Sequence, residues 1–281
     1  MTWKIVVDSG CDIKQLNDGA IPIAYERVPF TLQVGTEVFM DDEGLVVDEL
    51  MGALSHSDKA ASSACPSPDA FLRAYRGYDK VIAITITSQL SGSHNSAQIA
   101  KQMLLEEHPD TQIHLIDSLS AGGEVDLLVM TLQALINQGL SFEEVVEAIT
   151  RYQERTKLLF VLSSVDNLVK NGRLPKLVGK AIGLLNIRLV GEASDKGTLE
   201  VLDKPRGAKK ALRVAYERLK SSGYKGHSMV IAHQDNQVFC QQLSDMIKGD
   251  FPSAEITCLE TSGLCSFYAE KSGVLIGYET I

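Results

Sequence analysis

The fold is indicated most clearly by one stretch in the first half of the chain, VIAITITSQLSGS, which runs from Val81 to Ser93. Its first six residues, Val81–Ile86, are apolar or β-branched and are typical of a buried β-strand. A run of hydroxyl residues and a glycine follows, and beyond Ser93 small and apolar residues recur on one face of a predicted helix. The stretch therefore predicts a buried strand that leads through a polar loop into a helix.

Strand and helix patterns also alternate on both sides of this stretch. Ile5–Val7 and Ile113–Ile116 are short apolar runs that end in polar loops, and Ser141 with Glu144 forms a capping-box pattern at the start of a later helix. Such alternation predicts an α/β fold in which helices cover both faces of a parallel sheet.

The second half of the chain has a different pattern. Asp195-Lys196-Gly197 has the composition of a hairpin turn between two short strands, and a basic helix is predicted over about residues 208–220. Strands are also predicted at Leu158–Leu162, Met229–Ala232, Ile256–Leu259 and Val274–Tyr278. We therefore predict an N-terminal α/β domain over residues 1–155 and a C-terminal mixed α/β domain over residues 156–281.

Composition excludes several classes of protein. The 281 residues are 44% hydrophobic and carry a formal net charge of −9, so a nucleic-acid-binding protein is not expected. No apolar run approaches the roughly 18 residues that a membrane-spanning helix needs, and the first residues lack the apolar core of a signal peptide. The five cysteines are scattered without a C-x-x-C pair, which indicates neither a zinc site nor a disulfide framework. We expect a cytoplasmic protein without stable membrane insertion.

Charge is distributed unevenly along the chain. The segment from Arg151 to Lys220 contains 16 basic and 7 acidic residues, although the whole chain is acidic. This asymmetry predicts either a basic face that meets an anionic partner or an ordinary solvated surface.

Three enzyme motifs are incomplete. Gly226-His227-Ser228-Met229-Val230 resembles a nucleophile elbow, but its last glycine is replaced by Val230 and the strand follows the serine instead of preceding it. Asp8-Ser9-Gly10 lacks the second aspartate of a two-aspartate phosphatase motif. The chain also has no Walker A loop and no G-x-G-x-x-G, so a standard nucleotide-binding loop is not expected.

Polar residues near predicted strand ends are the remaining candidates for a site. Ser91 follows a strand and precedes a helix, where its hydroxyl can join backbone N–H groups in binding an anion or can simply cap the helix. Ser63 is either a ligand-binding residue or turn material. Arg173 follows Asn171-Gly172 and is either an anion clamp or a surface arginine.

Together, these motifs occur in an order that resembles the DegV family over about residues 3–280. The chain contains Asp8-Ser9-x-x-Asp12, Ser63-x-x-Pro66-Ser67-Pro68, Leu90-Ser91-Gly92-Ser93, Ile116-Asp117-Ser118, Leu168-x-x-Asn171-Gly172-Arg173, Lys204-x-Arg206 and Ile231-Ala232-His233. The resemblance implies a DegV-like two-domain α/β fold that buries one long-chain fatty acid. Members of the family include the fatty-acid-binding subunits of bacterial fatty acid kinase.

The resemblance also implies roles for individual residues. It assigns the fatty-acid carboxylate to Ser63, Ser91 and Arg173, and contact with the kinase or head group to Arg206. Family members usually carry a histidine where this chain has Ala269, and Tyr268 or Ser266 is the expected replacement. No catalytic residue, metal or cofactor is implied, and the bound fatty acid is the expected ligand.

The leading hypothesis is therefore a non-catalytic lipid carrier. It would hold the acyl chain in a buried tunnel, with Val178–Leu185 as one candidate wall, and present the carboxylate to a separate fatty acid kinase that forms an acyl phosphate. The alternative is a metal-dependent phosphohydrolase or phosphotransferase that uses Asp8, Asp12 and Asp117 at strand ends. A third hypothesis is a lipid sensor that shares the pocket but not the kinase.

Overall fold

The computed structural model describes residues 2–56, 61–182 and 186–280. The first half contains, in chain order, β1 Trp3–Asp8, β2 Ile23–Val28, β3 Thr31–Val34, β4 Glu37–Met40, α1 Val47–His56, β5 Ala61–Ala64, α2 Pro68–Tyr75, β6 Lys80–Thr85, α3 Ser93–Glu107, β7 Gln112–Asp117, α4 Gly123–Asn137 and α5 Phe142–Gln153. The second half contains β8 Thr156–Leu162, α6 Asp166–Lys170, α7 Lys176–Ile182, β9 Leu189–Ala193, β10 Leu199–Asp203, α8 Ala208–Ser221, β11 Tyr224–His233, α9 Gln237–Asp250, β12 Ile256–Glu260, α10 Gly263–Ala269 and β13 Val274–Thr280.

A parallel sheet forms the centre of the first half. Its strand order is β2-β1-β6-β7, and neighbouring strands are parallel throughout. Side chains of β1 alternate between the two faces, so that Ile5 and Val7 pack with α4 and α5 while Val6 packs with α2 and α3. Burial on both faces explains why β1 and β6 are continuous apolar runs, and it confirms the predicted parallel sheet.

A mixed sheet forms the centre of the second half. Its order is β10-β9-β8-β13-β11-β12, and all pairs are antiparallel except β11 with β12. Helices α8 and α9 cover one face through a core that includes Leu159 and Ile231. Leu158, Phe160 and Leu162 point to the opposite face. The predicted mixed α/β arrangement is therefore confirmed.

Helix α4 connects the two halves because it packs on the first sheet and also on β11 and β13 of the second. The four strands of the parallel sheet precede residue 155 and the six strands of the mixed sheet follow it. A boundary near residue 155 remains our proposal for the domain division.

A small antiparallel sheet of order β4-β3-β5 was not predicted. Ser63, which the sequence suggested as turn material, lies in β5 and pairs with Leu32 of β3. Serine and alanine have low intrinsic strand propensity, so pairing with the more hydrophobic β3 decides the conformation of this segment.

One disulfide joins Cys240 in α9 to Cys258 in β12. The expectation that the cysteines form no disulfide framework is thus wrong for this pair. The two cysteines are 18 residues apart in the chain, and they meet only because α9 packs beside β12. Cys11, Cys65 and Cys265 are unpaired. Among the described residues, no helix has both the length and the apolar character that crossing a bilayer would require.

Candidate functional site

A cavity lies between the two halves, on the face of the mixed sheet that α8 and α9 leave uncovered. It holds about 80 Å³ of space for the centres of water-sized molecules, and about 700 Å³ of atom-free space when its opening to solvent is included. Its surface is almost entirely apolar. The apolar and small residues that line it are Gly10, Phe30, Ile86, Leu90, Ala121, Leu158, Phe160, Leu162, Leu168, Leu199, Leu264, Cys265, Ala269 and Leu275.

The polar residues that line the cavity are Ser63, Ser91, Arg173 and Tyr268. The hydroxyls of Ser63 and Tyr268 lie 2.8 Å apart and share a hydrogen bond. The Arg173 guanidinium carbon lies 5.9 Å from the centre of the Tyr268 ring. The structure thus brings the three predicted carboxylate-binding residues to the same cavity, together with Tyr268.

Backbone carbonyls orient the Arg173 side chain. Its Nε donates to the Leu90 carbonyl at 3.1 Å, and its Nη1 donates to the Asn171 carbonyl. Among the described residues, Nη2 donates to no protein acceptor. A guanidinium that is held by carbonyls on one side keeps donors for an anion on the other.

Ser91 lies just before α3, as predicted, and its hydroxyl bonds to the amino end of the helix from the residue before the N-cap. Gly92 occupies the N-cap position and provides no side chain, while the Ser91 hydroxyl accepts a hydrogen bond from the Ser93 N–H at 3.1 Å. The Ser93 hydroxyl points away and donates to Asp8 at 2.6 Å. The hydroxyl of Ser91 therefore lies beside the positive end of a helix of 15 residues.

The position assigned to the family histidine also lies in the cavity. Ala269 lines it with a methyl group, and the neighbouring Tyr268 supplies a hydroxyl. The other expected replacement, Ser266, is fully buried, shares a hydrogen bond of 2.7 Å with the Thr261 hydroxyl, and does not line the cavity. Of the two candidates, only Tyr268 is placed to contact a ligand.

Two other residues of the predicted features, Arg206 and Val178, do not line the cavity. Arg206 is exposed, follows β10, and forms an isolated bridge with Ile187. Within the candidate wall Val178–Leu185, Val178 packs on the core that contains Leu168 but does not line the cavity, and residues 183–185 lie outside the described residues.

The aspartates of the alternative hypothesis accept hydrogen bonds from the protein. Asp8 is fully buried and accepts from the Gly10 and Ile86 N–H groups and from the Ser93 hydroxyl. Burial outweighs these bonds and raises the pKa of Asp8 from 3.8 to about 6. Asp117 lies two strands away and accepts from the N–H groups of Ser88 and Leu119. Over residues 2–56, 61–182 and 186–280, no three histidine, cysteine, aspartate or glutamate side chains are arranged to hold a metal.

A cluster of buried carboxylates adjoins the cavity. The sequence motifs contain only two of its members, Asp8 and Asp12. We define it as Asp8, Asp12, Asp41 and Asp126 with Arg27. All four carboxylates are buried, and the Arg27 guanidinium lies 3.7 Å from Asp41. Burial raises the pKa of Asp126 to about 6, and burial together with the neighbouring Asp126 raises the pKa of Asp12. Arg27, Asp41 and Asp126 belong to no motif, so no pattern in the chain marked them.

Comparison with known proteins identifies the family. The chain matches the family described as "Uncharacterised protein, DegV family" over residues 2–280. A DegV domain-containing protein of Streptococcus pyogenes serotype M3 is 61% identical over 279 residues, which cover 99% of this chain and 100% of that protein. The chain belongs to the DegV family.

Solved structures of DegV proteins share the fold along their whole length. The Fatty Acid Kinase (Fak) B3 protein of Streptococcus pneumoniae, crystallised with linoleic acid, is 60% identical with a TM-score of 0.98, and each chain covers 100% of the other. A DegV family protein from Eubacterium eligens loaded with heptadecanoic acid is 36% identical, with a TM-score of 0.95 and the same full coverage. These comparisons confirm the DegV fold class, and both neighbours hold fatty acids.

Proposed function

We propose that this DegV protein binds one long-chain fatty acid in the cavity between its two halves. The observation that carries the proposal is an apolar cavity whose few polar residues are Ser63, Ser91, Arg173 and Tyr268. These groups would bind the carboxylate, while the apolar walls would enclose the acyl chain. The ligands of the pneumococcal and Eubacterium neighbours support this assignment.

The energetics favour a ligand with a long apolar tail and one acidic end. Burying each CH₂ group contributes about 0.8 kcal/mol, so a long acyl chain contributes on the order of 10 kcal/mol before the costs of association. An unpaired carboxylate in such surroundings would offset much of that gain. The Arg173 guanidinium and the hydroxyls of Ser63, Ser91 and Tyr268 supply the donors that a buried carboxylate requires.

We propose further that the protein is a carrier and not the catalyst. A separate kinase would transfer the terminal phosphoryl group of a nucleoside triphosphate to a carboxylate oxygen, which yields an acyl phosphate and a nucleoside diphosphate. The name of the pneumococcal neighbour supports this partner. Exposed Arg206, Lys209 and Lys210 would supply positive charge for the kinase or the transferred phosphate. Arg213, Arg218 and Lys220 of α8 instead pair with acidic side chains. Dependence on a nucleoside triphosphate favours a cytoplasmic location.

Ligand extraction tests lipid binding. Solvent extraction of the purified protein followed by mass spectrometry is expected to release about one fatty acid per chain, and absence of fatty acid from protein incubated with it would overturn the proposal. Ser91→Ala and Arg173→Ala are expected to retain less lipid while the protein stays folded. Ser88→Ala and Arg73→Ala are the matched controls, since both side chains are exposed. Retention equal to that of the parent in both site variants would remove these residues from the site.

The kinase step needs a separate measurement. Arg206→Ala loaded with fatty acid is expected to retain its lipid but to yield acyl phosphate more slowly when mixed with a fatty acid kinase catalytic subunit and nucleotide. Arg151→Ala is the control, because it removes an exposed arginine of α5 that pairs with Glu147 and belongs neither to α8 nor to the segment around Arg206. Equal rates for the parent and Arg206→Ala would exclude Arg206 from the transfer step.

A further inference from the structure

Helix α10 forms one wall of the cavity. Leu264, Cys265, Tyr268 and Ala269 all belong to this helix of seven residues and all line the cavity. Its placement therefore decides where the Tyr268 hydroxyl lies relative to the ligand. A helix this short has little stability of its own, so contacts at its ends must hold it in place.

Carboxylates from the first half of the chain bind the amino end of α10. Asp41 accepts from the Gly263 N–H with Oδ1 at 2.8 Å and from the Leu264 N–H with Oδ2 at 2.7 Å. Asp12 accepts from the Ser262 N–H at 2.7 Å. Three of the N–H groups that a helix leaves unpaired at its amino end are thus satisfied by side chains far away in sequence.

Asp41 is itself held in a single position. Its side chain is buried, its backbone N–H donates to the Phe30 carbonyl at 2.9 Å, and the buried Arg27 guanidinium lies 3.7 Å from Oδ1. A Cβ added to Gly263 would lie only 2.7 Å from the Asp41 Oδ1. The backbone of α10 therefore approaches this carboxylate as closely as a glycine allows.

The small sheet contacts α10 near both ends of the helix. Asp41 directly follows β4, whereas Ser63, the partner of the Tyr268 hydroxyl, lies in β5. Both strands pair with β3, which fixes the distance between Asp41 and Ser63 across the sheet. The carboxylate at one end of the helix and the hydroxyl pair near the other are thus connected through the hydrogen-bonded strands of one sheet.

We infer that Asp41 is a positioning residue for the ligand head group. It holds α10 in the place where the Tyr268 hydroxyl forms its hydrogen bond with Ser63. The inference rests on the proposed function, because Tyr268 matters here as a donor to the fatty-acid carboxylate. Asp41 does not line the cavity and so acts only through the helix.

A double-mutant cycle of Asp41→Asn and Tyr268→Phe tests the inference. The measurements are the dissociation rate of one defined fatty acid and the preference for that acid over the alcohol of equal length. Each single variant is expected to accelerate dissociation of the acid about five- to tenfold, the effect of one lost hydrogen bond, and to reduce the preference for the acid. The double variant is expected to be no faster than the faster single variant.

The controls separate positioning from general stability. Asp42→Asn changes the exposed neighbouring carboxyl and is expected to leave both measurements unchanged. Rates that multiply in the double variant, or an acid-to-alcohol preference that Asp41→Asn leaves intact, would overturn the inference. Failure of the parent to bind any fatty acid would instead overturn the proposed function.

Amide hydrogen exchange on the unaltered protein provides a test that does not depend on the folding of a variant. The Gly263 and Leu264 amides are expected to be protected in the fatty-acid complex because both donate to Asp41. Exchange at these two amides as fast as in an unstructured peptide would show that Asp41 does not hold the helix.

Discussion

Two of the regions in which the halves of the molecule meet are opposite in character. In the first, which we call the glycine contact, Gly123 at the start of α4 lies against Gly277 in β13, and a Cβ on Gly277 would be 2.2 Å from the Gly123 carbonyl oxygen. In the second, the carboxylate cluster, Asp12 and Asp41 bind the backbone N–H groups at the amino end of α10. The glycine contact allows the two halves to approach closely because neither residue has a side chain. The carboxylate cluster joins the halves through hydrogen bonds to buried carboxylates.

This difference separates architecture from binding. The glycine contact sets how closely α4 approaches the mixed sheet, and no side chain can substitute for the missing atoms. The carboxylate cluster supports the cavity wall and depends on the protonation of its members. Bulkier side chains at the glycine contact should therefore lower the unfolding free energy at every pH. A change of pH should alter stability mainly through the carboxylate cluster.

The largest effect is expected for Gly277→Val. Its side chain would occupy the space of the Gly123 carbonyl and the Glu124 N–H, both of which are backbone atoms that cannot move without displacing α4. We expect no folded protein, as judged by the loss of a cooperative urea transition. The milder Gly277→Ala is expected to lose at least about 3 kcal/mol of unfolding free energy. A normal transition for both variants would disprove the importance of the glycine contact.

Arg27→Met is expected to destabilise the protein by about 3–5 kcal/mol at pH 7, because it leaves the buried Asp41 without its cation. The loss should be smaller at pH 5, where the carboxylates of the cluster take up protons more readily. Urea unfolding at both pH values measures it. Arg73→Met removes an exposed pair with Asp69 and is expected to cost at most about 1 kcal/mol. Equal losses for the two variants would mean that the buried pair contributes no more than a surface pair.

The pH dependence of stability isolates Asp8. Its pKa is about 6 in the folded protein against 3.8 ordinarily, so the folded state binds more protons between these values. Its contribution is therefore most favourable below about pH 4, is lost as pH rises to about 6, and amounts to about 3 kcal/mol.

The asparagine of Asp8→Asn does not titrate. As pH rises from 4.5 to 6.5, the unfolding free energy of the parent should therefore fall relative to that of Asp8→Asn. Asp18→Asn, at an exposed position, is the control. A difference that does not vary with pH would contradict the raised pKa.

The smallest effect is expected for Gly52→Ala, which lies outside both regions. Gly52 is inside α1, and apart from its chain neighbours and the backbone of its own helix no described heavy atom lies within 4 Å of a Cβ added there. Alanine in a helix is favoured over glycine, so the unfolding free energy should rise by about 0.5–1 kcal/mol in a urea titration. If Gly52→Ala instead destabilised the protein, the space available for a Cβ would not explain the different effects expected at Gly52 and Gly277.

Much of the fold could be predicted from local pattern. Buried runs such as Val81–Ile86 correspond to β6 (Lys80–Thr85), the basic helix to α8 (Ala208–Ser221), and the turn at Asp195–Gly197 joins two antiparallel strands. The strands β3 and β4 were not predicted, because each is only four residues long and exposes part of its side chains. Strands so short carry too few alternations to give a periodic signal.

The candidate site was predicted through family motifs and not through the physics of single residues. Ser63, Ser91 and Arg173 each had an ordinary local explanation, and only their joint order singled them out. The structure adds Tyr268 in preference to Ser266, since it places one hydroxyl beside Ser63 and the other beside Thr261. That choice depends on which face of α10 lines the cavity. Ser266 and Tyr268 both lie in this helix of seven residues, which is too short for its sequence pattern to reveal that face.

By itself, the sequence determined the α/β class, the positions of the long buried strands and the family, because hydrophobic periodicity and motif order are properties of the chain. Only the tertiary structure decided that Gly123 meets Gly277, that Cys240 pairs with Cys258, and that Asp41 binds the end of α10. The physical reason is that each of these contacts joins separate elements whose distance in space is set by tertiary packing: α4 on β13 for the glycines, α9 beside β12 for the cysteines, and the small sheet against α10 for Asp41. No local pattern encodes those distances.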